Sequence, residues 1–150
     1  MLLGAGGAAR SVAAALQDRG IEVCITNRTQ ERATALAAAL PGADVLPWSV
    51  WERDLGAFAL LVNTTSLGME GGPDPRFSPS LAHAADDLVV ADIVYVPRMT
   101  PLLASAQQQG LRTVGGLGML LHQARLGFRE WFGVDPQVDE ATQDYVLGSL

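Results

Sequence analysis

The sequence contains no lysine. All ten of its basic residues are arginines, and 16 acidic residues give a formal net charge of −6. No basic run occurs, which argues against a nucleic-acid platform, since such surfaces normally cluster positive charge. The single cysteine, Cys24, excludes an internal disulfide, and no cysteine and histidine group has the spacing of a zinc site. We therefore expect neither a bound metal nor a nucleic-acid partner.

Long apolar runs are also missing. None approaches the roughly 20 residues that a membrane helix needs, and Gly4 follows Met1 too soon for a secretory signal. Hydrophobic residues nevertheless make up 49% of the 150 residues, enough for the core of one domain. These features predict a single soluble domain of cytoplasmic location, with no membrane partner.

Short apolar strands alternate with helices along the chain. We predict strands at 1–3, 21–26, 45–46, 58–63, 88–96 and 111–114, and helices at 11–19, 30–40, 101–109, 119–132 and 138–147, with a helical turn at 49–54. Strands that are apolar on both faces and alternate with helices are typical of a parallel sheet covered by helices. The sequence thus predicts an α/β fold, a Rossmann-like doubly wound parallel sheet in three layers with extra C-terminal helices. Three residues are short for a strand, so we expect the chain to begin inside its first strand.

A glycine-rich turn follows the first strand. Gly4-Ala5-Gly6-Gly7-Ala8-Ala9 fits the G-x-G-x-x-A form of the dinucleotide fingerprint. Gly4 allows the tight turn, Gly6 lets a pyrophosphate approach the backbone, and Ala9 lets helix and strand pack closely. The alternative is a tight strand-to-helix turn that binds nothing, but the β-α-β setting favours a dinucleotide site.

The end of the second strand predicts which dinucleotide. NAD enzymes usually place Asp or Glu there to bind the ribose 2′-hydroxyl, whereas this chain has Asn27, Arg28 and Thr29, with Arg32 one helical turn further on. A carboxylate would repel a 2′-phosphate, and two guanidiniums with a hydroxyl would hold it. We predict NADP as the cofactor; the alternative is a helix cap beside two solvated arginines.

Five motifs in order resemble the shikimate dehydrogenase family. They span residues 4 to 133 and comprise Gly-Ala-Gly-Gly-Ala-Ala-Arg at 4–10, Asn-Arg-Thr-x-x-Arg at 27–32, Asn-Thr-Thr-Ser-Leu-Gly-Met at 63–69, Asp92-Ile93-Val94-Tyr95 with Pro97 and Thr100-Pro101-Leu102-Leu103, and Gly115-Gly116-Leu117-Gly118-Met119-Leu120 with Gln123-Ala124. The resemblance implies an oxidoreductase that reduces 3-dehydroshikimate to shikimate with NADPH in aromatic amino-acid (chorismate) biosynthesis.

The family's enzymes have two domains, and this chain resembles only the C-terminal, NADP-binding one. The family's catalytic Lys-Asp pair belongs to the other domain, which binds most of the substrate. Because the chain has no lysine, we expect no catalytic residue in it and no activity from it alone. We interpret residues 1–150 as one NADP-binding Rossmann domain whose N-terminal substrate domain is absent, and we leave a homodimer open.

The resemblance also implies roles for particular residues. The backbone of Gly4, Ala5, Gly6, Gly7 and Ala8 would hold the pyrophosphate, and Asn27, Arg28, Thr29 and Arg32 the 2′-phosphate end, with Arg28 free to stack on adenine. Ile93 and Gly116 would place backbone groups near the nicotinamide, and Tyr95 and Gln123 would touch the substrate.

Without the family, several of these side chains have ordinary interpretations. Gln123 reads as an exposed helix residue and Tyr95 as a strand-end aromatic with a solvated hydroxyl. His83 and His122 lie outside the motif residues to which the resemblance gives a role, so they receive none here.

Two alternative functions remain open. One is a quinate/shikimate dehydrogenase domain, although the arginine pair favours the NADP-linked enzyme. The other is a stand-alone NADP-binding module without catalysis.

Overall fold

The computed structural model describes residues 1–148. The strands are β1 (Leu2–Leu3), β2 (Val23–Thr26), β3 (Ala43–Val45), β4 (Leu60–Asn63), β5 (Val89–Asp92) and β6 (Arg112–Val114). The helices are α1 (Gly7–Gln17), α2 (Gln30–Ala38), α3 (Pro101–Gln108), α4 (Gly116–Phe132) and α5 (Glu140–Leu147), with a 3-10 turn at Leu55–Ala57. Within residues 1–148, no helix combines the length and the apolar character required to traverse a bilayer.

All six strands form one parallel sheet in the order β3-β2-β1-β4-β5-β6. The chain winds outward from β1 to β3, then returns to the other side of β1 and winds outward again to β6. Neighbouring strands β1 and β4 therefore send their connections in opposite directions, which opens a crevice at their carboxyl ends. The predicted doubly wound parallel sheet is confirmed.

The two faces of the sheet carry separate cores. Leu2 and Leu3 are both fully buried, and they belong to different clusters because successive strand residues point to opposite faces. On the Leu2 side lie α1 and α2, rich in alanine; on the Leu3 side lie α3, the 3-10 turn and the buried indole of Trp51. The sheet thus forms the middle of three layers.

Strand β5 is shorter than predicted. The apolar run continues to Val96, but the strand ends at Asp92, whose partner Asn63 is the last residue of β4. Beyond this point the carboxylate of Asp92 accepts a hydrogen bond from the Val94 amide at 3.0 Å, which turns the chain away from the sheet. Apolar character alone could not separate the strand from the loop that follows it.

Helix α4 differs most from its prediction. It begins at Gly116 rather than at 119, and its buried residues, Gly116 and Leu117, lie in the first turn. The spacing of Leu120, Ala124 and Phe128 predicts a face buried against the sheet, and this is wrong: Ala124 is exposed and Phe128 is 41% exposed. The neighbouring helix against which α4 packs is α5, so most of its apolar stripe lies outside the core.

Other boundaries moved by a few residues. Helix α1 begins at Gly7 instead of 11, directly after the glycine turn, because Gly6 is already in an extended conformation that can start the helix. The predicted helical turn at 49–54 consists of hydrogen bonds between residues three apart, such as Val50 to Pro47, and leads into the 3-10 turn.

Candidate functional site

The glycine turn lies at the carboxyl end of β1, in the crevice next to β4. Gly4 has φ +111°, and its amide donates to the carbonyl of Thr26 on β2 at 2.8 Å. A Cβ at this position would lie 2.8 Å from both Thr64 Oγ1 and Thr65 Cγ2. Gly4 is therefore required twice, once by its backbone conformation and once by the approach of the loop after β4.

The start of α1 fits an anionic group. Gly6 is the N-cap, no side chain caps the helix, and its first turn carries no acidic residue. A Cβ built on Gly6 or Gly7 would meet no atom within 4 Å, so open space lies in front of this turn. The free amides of a helix N-terminus with room before them are the arrangement that binds phosphates. The residues present thus fit a pyrophosphate.

Three cavities lie along the glycine turn and the loop after β4, and they share lining residues. The first, of about 220 Å³, and the third, of about 400 Å³, share Ala5 and Gly6. The first and the second, of about 440 Å³, share Thr64, Thr65 and Ser66. The three cavities are therefore adjacent, and together they mark a path along the crevice that suits an extended dinucleotide.

The predicted 2′-phosphate residues lie on this path, but in two places. Arg28 and Asn27 line the first cavity, whereas Arg32 lines the third together with Arg10. Both predicted guanidiniums are exposed and have no recorded hydrogen bond or salt bridge within residues 1–148. They remain free to meet a phosphate that sits beside Ala5 and Gly6.

The polar residues on either side of Arg28 are partly engaged. Thr29 is the N-cap of α2, yet its side chain makes no capping hydrogen bond. The Nδ2 of Asn27 donates to the Thr29 carbonyl at 2.8 Å, which fixes the turn. Glu31 is exposed and lines none of the three cavities, so no carboxylate of the described residues faces this end of the path.

A buried polar network joins the loops on the other side of the crevice. Oδ1 of Asp92 accepts from Asn63 Nδ2 and from the Val94 amide, both at 3.0 Å, and Oδ2 accepts from the Thr100 hydroxyl at 2.7 Å. Asn63 in turn accepts from the amide and the hydroxyl of Thr65 at 3.1 and 2.6 Å. The network therefore ties the ends of β4 and β5 to the start of α3.

Burial raises the pKa of the Asp92 carboxyl above its ordinary value. Hydrogen bonds from the Val94 amide, Thr100 and Asn63 act in the opposite direction and limit the rise. The side chain is 2% exposed and lines none of the three cavities. Its position suits a residue that holds loops rather than one that exchanges protons with a ligand.

The second cavity brings together two residues predicted at the nicotinamide and substrate end. Ile93 and Tyr95 line it, and so does Met119 of α4. A Cβ on Gly116 would collide with the Ile93 carbonyl group and would lie 2.7 Å from the Val94 carbonyl oxygen. Glycine at this position lets α4 begin directly against the loop after β5, so the backbones of Ile93 and Gly116 are neighbours.

Gln123 does not line this cavity. It is exposed, one helical turn beyond Met119 on the same face of α4. A ligand in the second cavity would need to extend past Met119 to reach it. His83 and His122 are exposed and line none of the three cavities.

Several residues that line these cavities received no role from the sequence, among them Trp48 and Arg10. Trp48 lines the first cavity, and Arg10, which belongs to the motif at 4–10, lines the third. A signal for Trp48 existed, since it closely follows β3 and ligands bind beyond the carboxyl ends of parallel strands. Cys24 lines none of the three cavities, and burial raises the pKa of its thiol, which keeps it protonated and unreactive.

Two models of known protein families match this chain. A family model described as shikimate / quinate 5-dehydrogenase matches residues 1–99, and one described as the shikimate 5′-dehydrogenase C-terminal domain matches residues 116–143. The chain belongs to the shikimate/quinate 5-dehydrogenase family. The resemblance carried by the five motifs is confirmed.

Two curated relatives illustrate the extent of the match. A shikimate dehydrogenase (NADP(+)) of Gluconobacter oxydans (strain 621H) is 59% identical over 150 residues, which are 100% of this chain and 54% of the relative. One of Acidiphilium cryptum (strain JF-5) is 54% identical over 150 residues, 100% of this chain and 53% of the relative. The chain thus spans about half the length of the curated relatives it matches.

Solved structures of the family share the fold. Shikimate 5-dehydrogenase from Thermus thermophilus, in complex with NADP(H) and shikimate, has a TM-score of 0.75 and 38% identity, covering 91% of this chain and 49% of that one. Quinate dehydrogenase from Corynebacterium glutamicum, in complex with NAD, has a TM-score of 0.83 and 30% identity, covering 99% and 54%. These two structures thus hold different nicotinamide cofactors.

Proposed function

We propose that this chain is the NADP-binding domain of a shikimate dehydrogenase, which reduces 3-dehydroshikimate to shikimate with NADPH. The observation that carries the proposal is the path of three adjacent cavities beside the glycine turn, with free guanidiniums and no carboxylate of the described residues at one end. The names of relatives up to 59% identical support the same cofactor and substrate.

The cofactor would lie along this path. The backbone of Gly4, Ala5, Gly6, Gly7 and Ala8 would bind the pyrophosphate at the start of α1. Asn27, Arg28, Thr29 and Arg32 would bind the 2′-phosphate end, where two guanidiniums match its charge. Ile93 and Gly116 would border the nicotinamide through their backbones, because glycine brings α4 against the Ile93 carbonyl.

The bound cofactor supplies the hydride, and the protein supplies orientation and a proton. Within this chain, Tyr95 would touch the substrate from the second cavity and Gln123 from the crevice edge. The chain has no lysine, so the proton-transfer group would belong to a separate substrate domain that closes the crevice. Residues 1–150 would form the cofactor domain, and cytoplasmic location, a role in aromatic amino-acid biosynthesis and a homodimer belong to the same proposal.

A quinate/shikimate dehydrogenase is the second candidate. It is favoured by the 30% identical quinate dehydrogenase that was solved with NAD. Against it stand Arg28 and Arg32, which an NAD-dependent enzyme would not need and which would give an NADP-dependent enzyme its preference.

A chimeric protein tests the proposal. This chain would replace the matched 54% of the Gluconobacter oxydans relative, and oxidation of shikimate and of quinate would be followed with NADP and with NAD. We expect turnover of shikimate with NADP and none from the 150-residue chain alone, because positioning and proton transfer need both sides of the cleft. Preference for quinate with NAD would select the second candidate. NADPH binding by a folded but inactive chimera would favour a stand-alone binding module, and turnover by the chain alone would contradict our placement of the proton-transfer group.

A further inference from the structure

Trp48 closely follows the carboxyl end of β3 and is half-buried. Trp48 lines the first cavity together with Arg28 and the glycine turn. A tryptophan that only completes a core turns away from such a crevice, as Trp51 does at 1% exposure. Trp48 instead forms part of both the core and the wall of the cavity.

Two aromatic rings hold the indole in place. Its centroid lies 6.3 Å from that of Phe77, with the rings stacked at 27°, and 5.8 Å from that of Trp51, tilted at 51°. Trp48 and Phe77 both pack against the core cluster that contains Trp51. Because the ring is already ordered, a ligand that stacks on it would lose little side-chain entropy.

The chemistry of the cavity selects the ligand. Its lining combines an indole and a guanidinium with glycine, alanine, leucine and neutral polar residues, and contains no carboxylate among the described residues. Planar aromatic bases stack on aromatic side chains and on guanidinium planes. The cavity also borders the start of α1, where a phosphate fits, so the base must belong to a nucleotide whose phosphates lie against Gly6.

We propose that Trp48 is a base-stacking residue that forms one wall of the adenine site. The inference rests on the proposed function, because it assumes that a dinucleotide lies along the path described above. It makes binding of the adenine half depend on an aromatic ring at position 48. Binding of the nicotinamide half, which lies toward the second cavity, is then independent of that ring.

Three ligands separate this role from a structural one. NADPH, adenosine 2′,5′-bisphosphate and reduced nicotinamide mononucleotide would be titrated calorimetrically against the 150-residue chain and its variants. Trp48→Leu removes the ring, Trp48→Phe keeps an aromatic face, and Trp131→Leu is the matched control, since Trp131 is 80% exposed on α4. Melting temperatures of all variants would be recorded in parallel.

We expect Trp48→Leu to lower the affinity for NADPH and for the bisphosphate equally, by roughly 5- to 150-fold, the range for loss of base stacking. Affinity for the mononucleotide should stay unchanged. Trp48→Phe should retain most of the affinity but lose the fluorescence quenching that the bisphosphate causes in the wild type. Trp131→Leu should match the wild type in every titration.

If Trp48→Leu lowered the affinity for all three ligands equally, or lowered the melting temperature with unchanged affinities, the stacking role would be overturned and the proposed function would stand. Quenching that persists in Trp48→Phe would also overturn the stacking role. A wild-type chain that binds neither NADPH nor the bisphosphate would overturn the proposed function together with this inference.

Discussion

The hydroxyl of Thr100 donates a 2.7 Å hydrogen bond to the carboxylate of Asp92 and accepts one from the Leu103 amide at 3.3 Å. Thr100 thereby caps α3 and connects it to the end of β5. The carboxylate is also bound by the Val94 amide and by Asn63. The loops that line the second cavity are therefore held from beneath by one buried anion.

We expect Asp92→Leu to lower the free energy of unfolding by about 3 kcal/mol or more, since three buried donors lose their acceptor. Urea denaturation of the chain measures this. Asp86→Leu is the control, because Asp86 is exposed in the loop just before β5, and it should change stability by less than about 0.5 kcal/mol. Similar effects from both variants would show that the network contributes little.

Asp92→Asn removes the charge of the side chain and keeps nearly the same shape. The folded pKa of Asp92 is raised, whereas its unfolded pKa lies near about 3.9. The wild type therefore loses stability as pH rises from the unfolded pKa through the folded pKa, and the amide variant does not. We expect any stability deficit of Asp92→Asn to narrow over that window and then stay constant. A deficit that widens with rising pH would mean that the folded pKa is lowered.

The second prediction concerns cofactor choice. NADPH should bind the chain more tightly than NADH by roughly tenfold or more, because a charge-assisted phosphate contact contributes about 1.5–3 kcal/mol. Arg28→Ala combined with Arg32→Ala should remove most of this discrimination. Arg112→Ala, at the start of β6 on the far edge of the sheet, should preserve it. Fluorescence titration of both cofactors decides the matter, and equal wild-type dissociation constants would contradict the assignment.

The third prediction concerns Gln123. In the chimera, Gln123→Ala should lower kcat/KM for shikimate by roughly 5- to 150-fold, as expected when a substrate hydroxyl loses its partner. Because Gln123 is exposed, NADPH affinity and melting temperature should stay unchanged. His122→Ala, its exposed neighbour, serves as the control and should leave shikimate kinetics as in the wild type. If Gln123→Ala left the shikimate kinetics unchanged, Gln123 would be a surface residue that does not contact the substrate.

The fourth prediction uses two buried threonines near the glycine turn. Thr26 is fully buried at the end of β2, and its hydroxyl has no hydrogen-bond partner within the described chain. Thr26→Val should raise the free energy of unfolding by about 1 kcal/mol, because an unsatisfied polar group is removed from the interior. The matched change Thr64→Val should lower it by about 1 kcal/mol, since Thr64 Oγ1 donates to the Leu3 carbonyl at 2.7 Å. In thermal and urea unfolding, Thr26→Val should be more stable than the wild type and Thr64→Val less stable.

The predicted site residues show which structural features a sequence motif can predict. The tight turn at Gly4 and Gly6 was predictable because a turn depends on few residues besides its own. The placement of Arg28 and Arg32 in different cavities was not predictable, because it depends on where α2 packs against the sheet. Their cofactor and substrate roles stay predictions until the titrations above are made.

The sequence by itself determined the parallel sheet, its strand count and the glycine turn, because alternation of apolar strands with helices and the short-range demands of glycine are both encoded locally. The tertiary structure decided where β5 ends, because that depends on Asn63 as a partner 29 residues away. It also decided that Phe128 is exposed and that Trp48 lines a cavity. Burial and cavity lining depend on which distant segments meet, and amino-acid periodicity within one segment does not carry that information.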